Sequence, residues 1–295
     1  MPPDFKASTS VRTPTLLETS LSVFLRSLPL KHGAHRILDR LVPAGPRGAQ
    51  QLVDLPYGGR VVRIDISDLV GWHFLLLRNF DPEVSEIIKR FAGRGSEDVY
   101  WDVGANKGAV SYEIASSLPG CKIVAIEPQR SMIELLEMNL GSLAPGRFEV
   151  FPVGLSDKPG TFELVIPQGN RGKASLVTKD GGDGSLVEQV EIVTAETVCG
   201  RSKFGWPTLV KIDVEGFEPA VIRTLLPAFE SRRIRCCVFE CHRSEAEGFR
   251  AIRDATREFG YRTFAIRKTP FSTRLDPADG LVRGATDYAI VRGDL

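Results

Sequence analysis

The chain has 295 residues, 42% of them hydrophobic and 25% charged, which is globular composition and enough for one large domain or two small ones. A formal net charge of +1 argues against a general nucleic-acid binder. Five cysteines, an odd number with no CxxC pair, indicate neither a disulfide framework nor a zinc ribbon, and fit reduced thiols in a cytoplasmic protein.

The first twenty residues are polar and proline-broken, without the apolar core of a secretory signal. Residues 1–14 read as disordered. No stretch approaches the length of a membrane span. Thr15 to Leu41 reads as one helix, with Leu17, Leu21, Leu25 and Leu28 at helical spacing. Its basic second half (Lys31, His32, His35, Arg36, Arg40) leaves two readings, packing on the main domain or peripheral contact with a membrane surface. Pro43 to Gly48 is a turn or linker. Arg60 to Ile66 alternates apolar and charged residues, as a half-exposed strand does. Asp81-Pro82-Glu83 reads as a helix start, with an N-cap acid and proline in the first turn, and the helix should run to about Phe91.

Asp98 to Val103 is an apolar run ending in Asp102-Val103-Gly104-Ala105-Asn106-Lys107-Gly108, and Ala109 to Leu118 reads as the next helix. A strand, a glycine turn and a helix bring backbone N–H groups close to a ligand. A dinucleotide fingerprint would need glycines at 104, 106 and 109, but 106 is asparagine and 109 is alanine. Asp102 would also repel a pyrophosphate. An acid there suits a cationic ligand without phosphate, and S-adenosylmethionine (SAM) has an ammonium, a sulfonium and an adenosine. Cys121 to Ile126 is a second buried strand closed by Glu127, where a carboxylate can accept both ribose hydroxyl protons.

Ser131-Met132-Ile133-Glu134 matches a capping box for the following helix. Phe148 to Leu155 reads as the third strand, with a turn at 156–160. Asp157 is either an adenine-amino acceptor or a turn residue stabilising its own backbone. Residues 161–198 read as an inserted antiparallel arm, with strand pieces at 161–166, 175–178 and 190–194 and glycine-rich spans at 169–172 and 181–184. Gly172-Lys173 fails the P-loop spacing, because position 167 is proline. Thr208 to Ile212 is the fourth strand, followed by Asp213-Val214-Glu215-Gly216 and a helix over 217–229. Ile234 to Phe239 is the fifth strand, ending in Glu240-Cys241-His242. Ser244 opens a second capping box before a helix that buries Phe249, Ile252 and Phe259. Tyr261 to Ile266 and Asp287 to Val291 are the last strands, joined by a long loop. Cys236, Cys237 and Cys241 read as core thiols, and no metal-ligand set is expected. The pattern predicts one doubly wound, mostly parallel Rossmann-like sheet closed by an antiparallel strand, with an N-terminal helical/β extension and an inserted β arm. The division expected is 1–59 for the tail and extension and 60–295 for the main domain.

Asp102-Val103-Gly104-Ala105-Asn106-x-Gly108, Glu127-Pro128, Leu155-Ser156-Asp157 and Lys211-Ile212-Asp213-Val214-Glu215-Gly216 occur in this order. Together they resemble the FkbM-type SAM-dependent methyltransferases over roughly residues 60–292. The resemblance implies the seven-stranded methyltransferase sheet and O-methylation of a small-molecule, sugar or glycan hydroxyl. SAM would be held by Asp102, Gly104, Ala105, Asn106, Lys107, Gly108, Glu127, Pro128 and Asp157. Lys107 stands where the family usually has an apolar residue, and is read as reaching the SAM carboxylate or pointing to solvent. Ala195-Glu196-Thr197 replaces a common Leu-Asp. In the implied fold Asp213 and Glu215 face Glu240 and His242. His242 is the best candidate for the base, since its ordinary pKa is near neutral. Asp213 is next, and Glu215 orients the acceptor or braces the turn. The competing readings are an NAD-type oxidoreductase and a non-catalytic glycan-binding protein on the same fold.

Overall fold

Residues that alternate along five short apolar strands send their side chains into two separate cores, and both faces of the sheet therefore need a helical cover. Tyr100, Ile123, Leu209 and Val238 belong to one core, and Trp101, Val124, Val210 and Phe239 to the other. These observations come from a computed structural model, which describes residues 11–30, 32–41, 50–93, 97–166, 186–242 and 245–295.

The N-terminal part consists of β1 (Val11–Arg12), α1 (Leu16–Ser27), α2 (Ala34–Leu41) and the hairpin β2 (Leu52–Tyr57) and β3 (Arg60–Asp65), followed by α3 (Leu69–Leu77) and α4 (Pro82–Arg90). The alternating units follow as β4 (Val99–Val103), α5 (Ala109–Ser117), β5 (Lys122–Ile126), α6 (Arg130–Leu143) and β6 (Phe148–Phe151). The arm comprises β7 (Gly154–Leu155), β8 (Gly160–Ile166) and β9 (Leu186–Val193), and is followed by α7 (Ala195–Arg201). The chain closes with β10 (Leu209–Ile212), α8 (Glu218–Thr224), α9 (Leu226–Glu230), β11 (Cys236–Glu240), α10 (Ala246–Glu258), β12 (Tyr261–Thr269), β13 (Ser272–Pro277) and β14 (Asp287–Arg292).

The central sheet has the order β13-β12-β14-β11-β10-β4-β5-β6 among the described residues. Strands β6, β5, β4, β10 and β11 are parallel, and β14 runs antiparallel between β11 and β12. This is the methyltransferase order expected, with β13 added at one edge. Helices α4, α5 and α6 cover one face, and α8, α9 and α10 the other. The hairpin β2–β3 lies over α5 and α6, and its Val53, Leu55, Val62 and Ile64 join their core. Asn139 of α6 secures it, accepting from the Arg63 N–H at 2.7 Å and donating to the Arg63 carbonyl at 2.7 Å. The turn of this hairpin contains residue 59, where the sequence places its domain division.

Several expectations are corrected. The helix expected over 15–41 is two helices, because Pro29 disfavours helical backbone at Leu28 and Gly33 turns with φ +86°. Leu17 is 78% exposed despite its spacing. The capping box that forms is Thr15–Glu18; the one expected at Ser131 does not, since α6 begins at Arg130 with Gln129 as its cap. The third strand splits into β6 and β7, and β7 leaves the main sheet to pair with β9. The helix expected over 217–229 breaks at Leu225, ahead of Pro227. The loop expected after 266 holds β13, paired along β12. Helix α3 gave no sequence signal, because it is apolar on nearly every side and so lacks a helical period. The tail to residue 10, the 43–48 linker, the 175–178 strand, the two glycine spans, Gly172-Lys173 and Ser244 lie outside the described residues.

Gly71 in α3 packs so close to β3 that a Cβ on it would stand 1.8 Å from the Asp65 carbonyl oxygen. Gly71→Ala should therefore lower unfolding stability by about 3 kcal/mol in urea titration. An unchanged midpoint would show that α3 is not docked in this way.

Candidate active site

The loop after β4 is held by its own protein rather than left open to a ligand. The Gly104 and Ala105 N–H groups donate to the Ile126 carbonyl at 3.0 and 3.1 Å, the Asn106 N–H to Glu127 Oε2 at 2.8 Å, and the Gly108 N–H to the Ala105 carbonyl at 2.8 Å. This corrects the expectation that these groups face the ligand. Gly104 has φ +73°, and a Cβ there would lie 1.9 Å from the Asp213 carbonyl oxygen. Glycine at 104 thus serves the contact between this loop and the loop after β10. Gly108 caps α5 at φ +80°, and Ala105 is buried.

Asp102 is fully buried and faces inward. Its Oδ2 accepts from Ser111 Oγ at 2.7 Å, and its Oδ1 lies 3.3 Å from Lys211 Nζ. Lys211 Nζ also donates to the Gly104 carbonyl at 2.7 Å and lies 3.4 Å from Asp213 Oδ2. Burial works against the ammonium, yet Asp102, Asp213 and Asp81 hold its pKa above the ordinary value. Asp102 therefore meets a protein cation where a ligand cation was expected. Lys107 reaches neither a ligand cleft nor solvent. It is buried, donates to the Asp65 carbonyl at 2.9 Å and sits 2.6 Å from Asp68 Oδ2, which ties the glycine loop to the N-terminal part.

A cleft of about 730 Å³ opens at the carboxyl ends of β4 and β5. Gly104, Asn106, Glu127 and Pro128 line it, with Asp213 and Glu215 on one side. Val153, Leu155, Leu164, Ile192 and Phe217 give it an apolar wall. The Glu127 carboxyl accepts the Asn106 and Gln129 N–H groups at 2.8 and 2.9 Å, one on each oxygen. Each oxygen keeps a second lone pair. Burial pushes this carboxyl up to about 7, while the two N–H groups pull it down. The Asn106 Oδ1 is buried and without a partner. Among the described residues no lysine or arginine lines the cleft, so a pyrophosphate would meet carboxylates there without a cation from them. These residues fit a nucleoside lacking phosphate: an apolar wall for a base, a carboxylate for vicinal hydroxyls and carboxylates beside a positive charge. Asp157 does not line the cleft; it accepts from Arg223 Nε at 2.7 Å, which holds its pKa below the usual value.

A second cleft, of about 980 Å³, shares Asn106, Asp213 and Glu215 with the first. Glu240 lines it too. Burial first, then Asp213, raises the Glu240 carboxyl to about 7, against the pull of His242. His242 Nε2 stands 3.3 Å from Glu240 Oε1, with the imidazole 51% exposed and outside the lining. The structure thus gathers Asp213, Glu215 and Glu240 at one cleft, with His242 behind Glu240. Asp81 is a lining residue that the sequence disguised as a helix cap. It adopts φ +50° and makes no side-chain capping bond. Burial, then Glu83 and Asp213, push its carboxyl up to about 8.

Lys211→Met should lower stability by about 3–5 kcal/mol in chemical denaturation, because Asp102 is left buried without its counter-charge. Adding Asp102→Asn should restore part of that loss. A full-stability single variant would dismiss the pair as a structural tie.

The sequence matches the Methyltransferase FkbM domain over residues 102–263, more than half of the chain. AMB antimetabolite synthetase AmbE of Pseudomonas aeruginosa is 37% identical over 129 residues, which are 42% of this chain and 6% of that protein. Hexuronic acid methyltransferase AglP of Haloferax volcanii is 26% identical over 147 residues, 50% of this chain and 56% of that protein. The match thus spans less than two thirds of either relative. Among solved structures, precorrin-6y C5,15-methyltransferase from Geobacter metallireducens aligns with 72% of this chain and 87% of its own at 13% identity, TM-score 0.38. Domain match, sheet order and cleft chemistry agree: the chain belongs to the FkbM methyltransferase family, with S-adenosylmethionine as its cofactor.

Proposed function

We propose that the chain is an O-methyltransferase, acting on a hydroxyl of a small-molecule, sugar or glycan acceptor seated in the second cleft. The observation that carries this reading is the wall of Asn106, Asp213 and Glu215 common to both clefts, with Glu240 on the acceptor side. The resemblance to AglP, a hexuronic acid methyltransferase, supports a sugar acceptor.

SAM, when bound, supplies a methyl carbon already activated by its sulfonium. The chain must position the acceptor and remove one proton. Positioning of this kind can be worth ~7–11 kcal/mol at best. On this reading the Glu127 carboxyl and the orphan Asn106 Oδ1 orient the cofactor in the first cleft. Gly104 and Pro128 shape its floor, while Asp102, Lys107, Ala105 and Gly108 hold the loop in place. Asp213, with its charge balanced by Lys211, and Glu215 orient the acceptor hydroxyl. Glu240 takes the proton, since a carboxyl with a pKa near 7 suits a base at neutral pH. His242 relays the proton to solvent from 3.3 Å behind it.

Incubation with labelled SAM and a panel of sugars should give a methyl ether on a hydroxyl. Glu240→Gln should lower kcat by about 10²-fold or more with SAM affinity unchanged. The wild-type rate should rise as pH increases through about 7, where Glu240 loses its proton among Asp213, His242, Asp287 and Glu215, and the variant should lose that limb. Methylation only at nitrogen, or an unaltered kcat in the variant, would overturn the assignment. SAM affinity should also weaken as pH falls below about 7, because Glu127 then takes up a proton and ceases to be a full acceptor. Calorimetry across that range checks it, and a flat profile would remove Glu127 from the ribose role.

A further inference from the structure

The acceptor cleft adjoins a third cavity, of about 1360 Å³, along Leu69, Phe80, Asp81 and Lys268. The two have opposite charge character. Asp81, Asp213, Glu215, Glu240 and Asp287 line the inner cleft, against Lys211 and Lys268. The outer cavity is walled by α1, α2, α3 and the start of α4, and presents Arg26, Arg36 and His35.

The carboxylates near the outer cavity are already engaged. Glu83 lies 3.4 Å from His32 Nδ1 and also pairs with Lys268. Asp39 lies 2.9 Å from His73 Nε2. Asp81 faces the boundary with the inner cleft. Among the described residues no carboxylate pairs with Arg26 or Arg36. Burial, then Arg26, lowers the Arg78 guanidinium to about 10. Burial, then His73, holds His35 below its ordinary value, against the pull of Asp39 and Glu83 and with Arg36 acting alongside His73. Two guanidinium groups lining one cavity, with the carboxyl of Glu83 already paired to His32 and Lys268, suit an oxyanion. Guanidinium groups bind phosphate and carboxylate by paired, charge-assisted hydrogen bonds.

We propose that this outer cavity is an anion subsite, seating a phosphate or carboxylate carried by the acceptor beyond the sugar whose hydroxyl enters the inner cleft. The inference rests on the O-methyltransferase reading and extends it. The acceptor is then an extended molecule of two unlike ends. Its neutral, hydroxyl-bearing end lies among carboxylates that would repel an anion. Its anionic end lies among arginines that would hold one. Asp81 sits where the two fields meet, and Asp213, Glu215 and Asp287 deeper in the inner cleft disfavour the reversed orientation.

The test is calorimetric titration of the SAM-saturated protein with inorganic pyrophosphate and, separately, with D-glucuronate. The wild type should bind at least one of them saturably, and the one it binds tells phosphate from carboxylate. Arg26→Gln/Arg36→Gln should weaken that binding about tenfold or more, the scale of lost hydrogen bonds to charged groups. Arg26→Lys/Arg36→Lys should retain part of it. Both arginines are exposed, so SAM affinity should be equal in all three proteins. No saturable binding of either probe, or equal binding by the glutamine variant, overturns the subsite. Anion binding that persists in a protein unable to methylate any sugar would overturn the acceptor reading and leave the subsite standing.

Discussion

A single ammonium buried beneath the loops that follow β4 and β10 decides how those loops sit. Lys211 projects from β10 between Asp102, the Gly104 carbonyl and Asp213, and so joins the fourth strand to the first strand and to both of their loops. An unpaired charge at that depth would cost several kcal/mol, and so would its carboxylate partner alone. Together they are tolerable only in one arrangement, with Ser111 completing the shell of Asp102. The arrangement fixes where the chain leaves β4 and β10, and hence where Gly104 touches the Asp213 carbonyl. Neither loop can shift without exposing or orphaning a charge.

From that tie follows the division of space above it. The two loops meet at Asn106, Asp213 and Glu215, which form one wall with a cleft on each side. The first cleft sets an apolar wall against one buried carboxylate, that of Glu127. The second is rich in carboxylates and only partly neutralised. Desolvation and mutual repulsion raise Glu127, Glu240 and Asp81 into the range around neutrality, where protonation can change under mild conditions. Lys211 moderates this field from below, pulling against the upward shift of Glu127 and of Asp81.

Much of this was legible in the sequence, for a reason that also marks its limit. Strand-end residues identify themselves by following apolar runs, so Gly104, Asn106, Glu127, Asp213, Glu215 and Glu240 could be placed at one end of the sheet. The direction of a side chain within a strand needs register as well. Asp102 shares a face with Tyr100, toward Ser111 of α5 and outside the lining of the first cleft, as the two-residue period requires. It is also in register with Lys211 on the neighbouring strand, so the pairing is a consequence of strand order. Lys107 was harder still, because Asp65 and Asp68 belong to a segment some forty residues earlier with no motif of its own. Helix α3 and strand β13 were missed for lack of contrast: one is apolar all round, and the other is a short edge strand within a polar connection.

Asp81 shows how a correct local reading conceals a site. Asp-Pro-Glu does begin a helix, and α4 starts at Pro82. An aspartate at that position ordinarily turns its carboxyl onto a free N–H of the first turn, a bond worth ~1 kcal/mol. Here the bond is absent and the residue takes a left-handed conformation, at a further cost on the order of 1 kcal/mol. Both costs fall on a residue of α4's entry that, with Phe80, borders the inner and the outer cavity. Departures from local preference concentrate where the surrounding structure requires a group for something other than stability. The carboxyl held off its own helix lines both cavities instead of capping α4.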